Sequence, residues 1–394
     1  MSGPLSSLKI LDFSTLLPGP FATMMLADLG ADVLRIEAPN RFDFARMVPP
    51  FDGDTSAWHA LVNRSKRSMA LNLKHPQAVE IVQALVKEYD IVLEQFRPGV
   101  MDRLGLGYEA LRAINPNLIY CAITGYGQTG PLKGRAGHDI NYVGLSGIMG
   151  HMGRKGSDPV PLSIPLGDMG GGSFGGITAL LAAVIHRTQT GEGQFVDISM
   201  FDATVAWNSL AARHYLVAGQ EPEQETGTLN GGSYYDYYRT ADGRYLSVGS
   251  LEPKFWMRFC RLLGCPDLMI EGHILADSEQ QEEIKEEIRQ IIATRTLEEW
   301  MQVFAEIDAC VEPVLSVAEM TEHAQTQARQ MIVHVPKPDG GTQAQIAHPF
   351  KFSATKATYK HIGAKLGQHT EEVLASLGYN SEQLAHLQAN GLFG

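Results

Sequence analysis

The chain has 394 residues, 44% of them hydrophobic and 19% charged, with a formal charge of −12 and a pI near 5.5. That length exceeds what one hydrophobic core ordinarily serves, so two domains are expected, and the acidic balance argues against a nucleic-acid binder, whose domains are usually basic. The four cysteines (Cys121, Cys260, Cys265 and Cys310) contain no CxxC pair and suit buried thiols in a reducing, cytoplasmic setting; no secretory leader and no apolar run long enough to span a bilayer is read.

The first two hundred residues alternate β-rich runs with helical patterns. Leu8–Ser14 (LKILDFS) reads as a strand, and Pro20–Gly30 as a helix opened by proline and closed by a C-cap glycine. Ala31–Glu37, Asp90–Phe96 and Leu118–Gly127 read as further strands, with the proline-led amphipathic helix Pro76–Tyr89 between the first two of these. Such alternation predicts an α/β fold with a parallel sheet covered on both faces. Ligands of such sheets sit at the carboxyl ends of the strands. A glycine-led helix follows over Gly170–Gly191, then a strand and a long helix. From about Gly227 the texture changes. Ser233–Ser250 predicts a hairpin turning at Asp242-Gly243, and the largely helical stretch to about residue 307, with the acidic run 277–290 as a solvated helix face, completes a smaller α+β domain. The proline-rich, polar stretch 335–352 has strand-poor linker character, and 367–379 is a capped helix.

Three places carry candidate chemistry. The GDMGGGS stretch, Gly167–Ser173, opens a helix, so its amides and the positive end of the helix dipole are suited to an anion or oxyanion. The alternative there is a tight turn with Asp168 as a helix cap. His138, in the loop GHDINY, has a proton affinity suited to general base work, with Asp139 and Asn141 placed to fix its tautomer. Glu252 stands before a proline at a strand end, where it can point into a cleft. Arg35, Arg64, Lys66, Arg67, Lys74, Arg97, Arg103, Lys133 and Arg135 cluster near predicted strand ends and suit a polyanionic ligand such as a nucleotide phosphate. No GxGxxG motif and no metal-ligand spacing is present.

The stretches 4–39, NRSKRSMALNLK (63–74), 96–131, GDMGGGS (167–173), GEGQFVDISMFD (191–202) and DACVEPVL (308–315) resemble the family III coenzyme A transferases along nearly the whole chain. Within that family, AGHDINYVGLSGI, 229–256 and DACVEPVL look like the α-methylacyl-CoA racemase branch; transferase members generally lack a histidine at the place of His138. The resemblance implies an interlocked-ring homodimer. Each subunit would hold a large Rossmann-like domain (1–199, completed by 340–394), a linker helix (200–227), a small α+β domain (228–316) and a return linker (317–339). It implies an acyl-CoA thioester in the cleft between the large domain of one subunit and the small domain of the other, with no cofactor beyond the CoA that the substrate carries and with neither nucleic acid nor membrane as partner. His138 and Asp168 would be the proton-transfer pair and Glu252 would hydrogen-bond His138. Arg35, Arg64, Gln95, Phe96, Arg97, Arg103 and Arg135 would lie along the CoA. Some racemases carry an asparagine where this chain has Ile164.

Two bases on opposite sides of an α-carbon suit racemisation of a 2-methylacyl-CoA through an enolate, whose oxygen the amides around Asp168, Met169 and Gly170 would bind. Met149, Met152 and Met169 are candidates for a soft apolar bed under the acyl chain. A transferase reading makes Asp168 a nucleophile forming an anhydride. A third reading is a catalytically silent acyl-CoA-binding protein.

Overall fold

The computed structural model describes residues 3–271 and 278–393. Asp277, the first residue of the acidic run, lies outside the described residues. Six short strands build the main sheet: β1 (Lys9–Asp12), β2 (Asp32–Glu37), β3 (Arg67–Ala70), β4 (Ile91–Glu94), β5 (Ile119–Thr124) and β6 (Phe195–Ser199). All neighbouring pairs are parallel, in the order β3-β2-β1-β4-β5-β6.

The strand sequences explain the burial. Ile10, Val33, Ile91, Leu93, Ile119, Cys121 and Ile123 pack on one face, while Leu11, Leu34, Val92, Tyr120 and Ala122 pack on the other. Alternate residues thus feed two separate cores, as the two-residue period of a strand requires, and strands buried on both faces read as continuous apolar runs. Helix α1 (Pro18–Asp28) and helix α2 (Pro76–Leu85) both start on proline, whose missing N–H costs nothing in a first turn.

The strand order reverses between β1 and β4. This is the switch point at which open α/β sheets hold ligands, outside the carboxyl ends of the strands. Two loops meet there: Gly19, at the start of α1, donates its N–H to Gln95 Oε1 after β4 at 3.0 Å. No Cβ fits at Gly19, since it would lie 2.2 Å from Ser14 Cβ.

Two compact units emerge. The first comprises residues 1–143, 162–204 and 325–394, the second 144–161 and 205–324. The segment 144–161, read from sequence as part of the large domain, groups with the second unit because Arg154 forms ion pairs with Glu225 (2.7 Å) and Asp236 (2.6 Å). In the second unit, β7 (Asp236–Arg239), β8 (Tyr245–Val248) and β9 (Val311–Pro313) form an antiparallel sheet with β8 central. The hairpin expected at Asp242-Gly243 is present, with Gly243 at φ 78°. Helices α5 (Pro253–Leu263), α6 (Ser278–Ile292) and α7 (Leu297–Phe304) share its core around Trp256, Phe259, Trp300 and Phe304.

Two readings need correction. The polar stretch after residue 331 is no linker: Ile332–Pro336 and Thr342–Ile346 pair as an antiparallel hairpin. Its Asp339-Gly340-Gly341 run is a turn, with Gly340 at φ 87°; the polar strand residues disguised the pairing. The second concerns length. The helical run Leu166–Thr190 is long and apolar enough, by length and composition alone, to cross a membrane. One side of it packs on β5, β6 and α1, and 33% of its most apolar stretch is buried.

Candidate functional site

The loop before helix α3 (Asp139–Leu145) is held by its own side chains. Tyr142 is buried and donates its hydroxyl to Gly137 O at 2.5 Å. A Cβ on Gly137 would lie 2.7 Å from the Tyr142 ring, so the close approach demands glycine. Asn141 Oδ1 accepts the His138 N–H at 3.0 Å while Asn141 N–H donates to His138 O at 2.8 Å. The Asn141 side chain thus caps the turn as the third residue of a capping box does, while the return bond runs from backbone to backbone. The His138 side chain is exposed, and its imidazole has no hydrogen-bond partner among the described residues. Neither Asp139 nor Asn141 bonds the imidazole: Asp139 Oδ1 accepts the Asp168 N–H and Asn141 Oδ1 accepts the His138 N–H.

Asp168 lies in a π-helical segment, Leu166–Phe174, that runs into helix α4 (Gly175–Thr190). Wide π turns are frequent at functional sites. The expectation that the Asp168 and Met169 amides are free donors is not met. Asp168 N–H donates to Asp139 Oδ1 at 2.9 Å, and Met169 N–H donates to Pro165 O at 2.9 Å. Gly170 continues the same segment. The glycines act instead through packing: a Cβ at Gly172 would lie 2.7 Å from Pro18 Cβ, and one at Gly171 would lie 3.0 Å from Ala203 Cβ. Ser173 Oγ is within hydrogen-bond distance of both Pro18 O (2.7 Å) and Asp168 O (3.2 Å), tying the segment to the start of α1. That link, between residues 155 positions apart, had no sequence signal.

Burial pushes the Asp168 carboxyl up to about 6, the like charge of Asp139 adds to the rise, and His138 opposes it. A carboxyl near neutrality is suited to give and take protons. His138 and Asp168 therefore belong to one unit and act on each other electrostatically. Glu252 stands in the second unit as the exposed residue before α5, its side chain capping nothing. Ile164 is exposed; Met149 and Met169 are half-buried and Met152 is exposed.

The cations divide sharply. Arg35 is 1% exposed and pairs with Asp43 and, at 3.1 Å, with Glu37. Arg64 is equally buried, binds Asp28 through Nε (3.0 Å) and Nη2 (2.6 Å), and donates to Gln345 Oε1 and Ile346 O. The Arg64 guanidinium is spent inside the large unit, whereas Arg35 keeps its buried Nε and Nη1 without a hydrogen-bond partner and is held by charge alone on the Nη1 side. Neither presents itself to a ligand on the rim. Lys66 is buried against Asp12 in the same way. Arg97, Arg103 and Arg135 are exposed and form no ion pair among the described residues.

Beside the switch point, Glu94 ends β4 with its carboxyl buried. Its Oε2 accepts the Phe96 N–H at 2.6 Å. Burial pushes it up to about 8, the Phe96 bond opposes this, and Asp102 adds to the rise. A carboxyl raised in the fold binds more protons than in the unfolded chain, so its contribution is full below about 4.5 and is lost as pH rises through about 8. Glu94→Gln keeps an acceptor for Phe96 and never ionises. At pH 8.5 it is expected to exceed the wild type in stability by on the order of 3 kcal/mol, with little difference at pH 4.5. Denaturant melts at the two pH values check this; equal gaps at both would remove Glu94 as the cause.

A doubly wound parallel sheet with a near-neutral carboxyl and a histidine in its large unit defines an α/β enzyme of acid–base or carboxylate chemistry. The family model for CoA-transferase family III matches residues 5–370, and the chain belongs to that family. Human alpha-methylacyl-CoA racemase is 33% identical over 98% of this chain and 96% of its own length. Human succinyl-CoA:glutarate CoA-transferase is 33% identical over 99% of this chain and 90% of its own. The crystal structure of a CAIB/BAIF family protein from Brucella suis superposes with a TM-score of 0.83 at 30% identity, covering 96% of this chain and all of that one.

Proposed function

We propose that the protein interconverts the two configurations of a 2-methylacyl-CoA by two-base proton transfer. The observation that carries this reading is the Asp168 carboxyl held near neutrality with His138 acting on it in the same unit. One base takes the α-hydrogen and leaves an enolate; the conjugate acid of the other returns a proton to the opposite face. A carboxyl near 6 changes protonation readily close to neutral pH, which is what a reversible exchange needs. The enolate oxygen requires a donor other than the Asp168 and Met169 amides, which are engaged. Glu252 would orient the imidazole as a carboxylate does in a catalytic triad, a role that the family resemblance supports. Arg97, Arg103 and Arg135, exposed and unpaired, suit the phosphates of CoA, and Gln95 and Phe96 flank them at the switch point. The reaction so written uses no group beyond the CoA that the substrate carries.

We also read the working form as a homodimer, interlocked as in the family resemblance. The helix Ser209–Ala218 has no buried residue, with Leu216 and Val217 exposed by 79% and 86%. An apolar stripe of that kind marks a surface that a partner covers. The free cysteines suit a reducing compartment such as the cytoplasm.

A second reading keeps the fold and makes Asp168 a nucleophile: it attacks the acyl-CoA to form an anhydride and release the CoA thiolate, the thiolate attacks the Asp168 carbonyl and frees the first acid, and an acceptor carboxylate then takes the CoA by the same two steps in reverse. It is favoured by the equal identity to a racemase and to a transferase. One experiment separates them. Incubated with (S)-2-methylacyl-CoA in heavy water and no acceptor acid, the protein is expected to place deuterium at the α-carbon and drive the substrate toward a mixture of both enantiomers. Acceptor-dependent CoA transfer with no deuterium uptake would reverse the assignment.

A further inference from the structure

We propose that Asp139 is a positioning residue for Asp168: its carboxylate holds the Asp168 backbone in place and sets a like charge beside the Asp168 side chain. The inference rests on the reading of Asp168 as a proton-transfer group.

The geometry begins with one bond. Asp139 Oδ1 accepts the Asp168 N–H at 2.9 Å across 29 positions of sequence. Gly167 eases the contact, because a Cβ there would lie 3.1 Å from the same Asp139 oxygen and push it away by a few tenths of an ångström. On its other side the Asp168 carbonyl meets the Ser173 hydroxyl, which is anchored to Pro18 O. The residue is thus held at its N–H, with the Ser173 hydroxyl, shared with the nearer Pro18 O, beside its C=O. Asp139 itself has little freedom, since the Asn141–His138 cap and the Tyr142–Gly137 bond fix the turn it stands on. An acid in the first turn of a helix is also favoured by the helix dipole.

His138 and Asp139 are adjacent in the chain. One capped turn therefore carries the imidazole and grips the peptide of Asp168, so the separation of the two proton-transfer groups is set by a single rigid corner. Holding reacting groups in register is where small displacements cost most. The charge acts separately. Among the described residues, the titratable groups facing Asp168 are Asp139, His138 and the Tyr142 phenol; α1, α4 and β6, which pack on its segment, add none. Burial already disfavours the Asp168 carboxylate, and a second carboxylate nearby disfavours it further.

Asp139→Asn and Asp139→Ala separate position from charge. The asparagine keeps an oxygen for the Asp168 N–H and loses the negative charge; the alanine loses both. Removing a negative neighbour eases ionisation, so in Asp139→Asn the Asp168 carboxyl is expected to titrate roughly one unit lower, with the acid limb of the α-exchange rate moving the same way. Its kcat at the optimum should fall only a few-fold. Asp139→Ala is expected to lose about 10–10²-fold in kcat with KM within about two-fold, as displacement of a reacting group predicts. The measurements are carbon-13 titration of the Asp168 carboxyl in the resting protein and the pH profile of deuterium exchange. An unmoved Asp168 titration in Asp139→Asn, or wild-type kcat in Asp139→Ala, overturns the proposal. If the wild type shows no exchange at all, the functional reading fails, while the titration still decides whether Asp139 acts on Asp168. Should the alanine variant not fold, the asparagine variant carries the test.

Discussion

His138→Ala is expected to lower racemisation of a 2-methylacyl-CoA by roughly 10²–10⁴-fold, and Asp168→Ala to do the same, with KM little changed in either. Each removes one leg of a path that needs both, so the double variant should lose little more than either single one. Exchange with solvent should be less sensitive than racemisation. A protein with one base left still abstracts the hydrogen presented to it, and in heavy water it labels that enantiomer without inverting it. The pH dependence follows from Asp168, which must be ionised to act as the base. Exchange in the direction it serves should fall as pH drops through about 6. The measurement is chiral analysis and mass of the product after incubation in heavy water, across pH 5–8. The transferase reading predicts otherwise: His138→Ala nearly harmless, Asp168→Ala inactive, and a trappable Asp168 adduct. Wild-type racemisation by His138→Ala would remove the histidine from the mechanism.

Arg64→Ala is expected to destabilise the large unit by about 3–5 kcal/mol, the cost of removing one partner of a buried ion pair. That is a large part of the usual margin of a folded domain. The arginine is gripped on several sides: Asp28 binds its Nε and Nη2, Gln345 and Ile346 bind its Nη1, and the Tyr359 ring lies 4.9 Å from its centre. It thereby ties the C-terminal segment to the end of α1. Burial pushes the Asp28 carboxyl up even beside Arg64. Without the arginine it rises further, and the proton it needs is scarcer at high pH. The folded variant therefore loses stability as pH rises, and its deficit should be larger at pH 8 than at pH 5. Arg103→Ala, which removes an exposed and unpaired cation, should leave the denaturation midpoint unchanged and raise KM for the CoA thioester. Urea melts at both pH values, beside KM for each variant, make the comparison. A stable Arg64→Ala with raised KM would return that residue to the ligand.

The sequence by itself determined the local elements and the kind of fold. Apolar runs such as IYCAIT, separated by proline-led helices, specify strands buried on both faces, because the two-residue period and the helix-start chemistry act over a few neighbours. His138, Asp168 and Glu252 were singled out the same way, from residue type and local setting aided by the family resemblance. Partnership is different, since it depends on which distant residues share a buried space. Arg35 and Arg103 look alike in sequence, yet one is walled in with Asp43 and Glu37 while the other stays free; desolvation decides that, and only the folded chain sets it. The polar residues of 335–352 suggested a linker, yet 332–336 and 342–346 pair as two strands that give their backbone groups partners. The glycines of GDMGGGS suggested a bare anion cradle, whereas the approach of Pro18, Ala203 and the Asp139 carboxylate makes them packing residues. The amide of Asp168 went to an oxygen 29 residues away, because a buried N–H takes whatever acceptor the tertiary fold brings within reach.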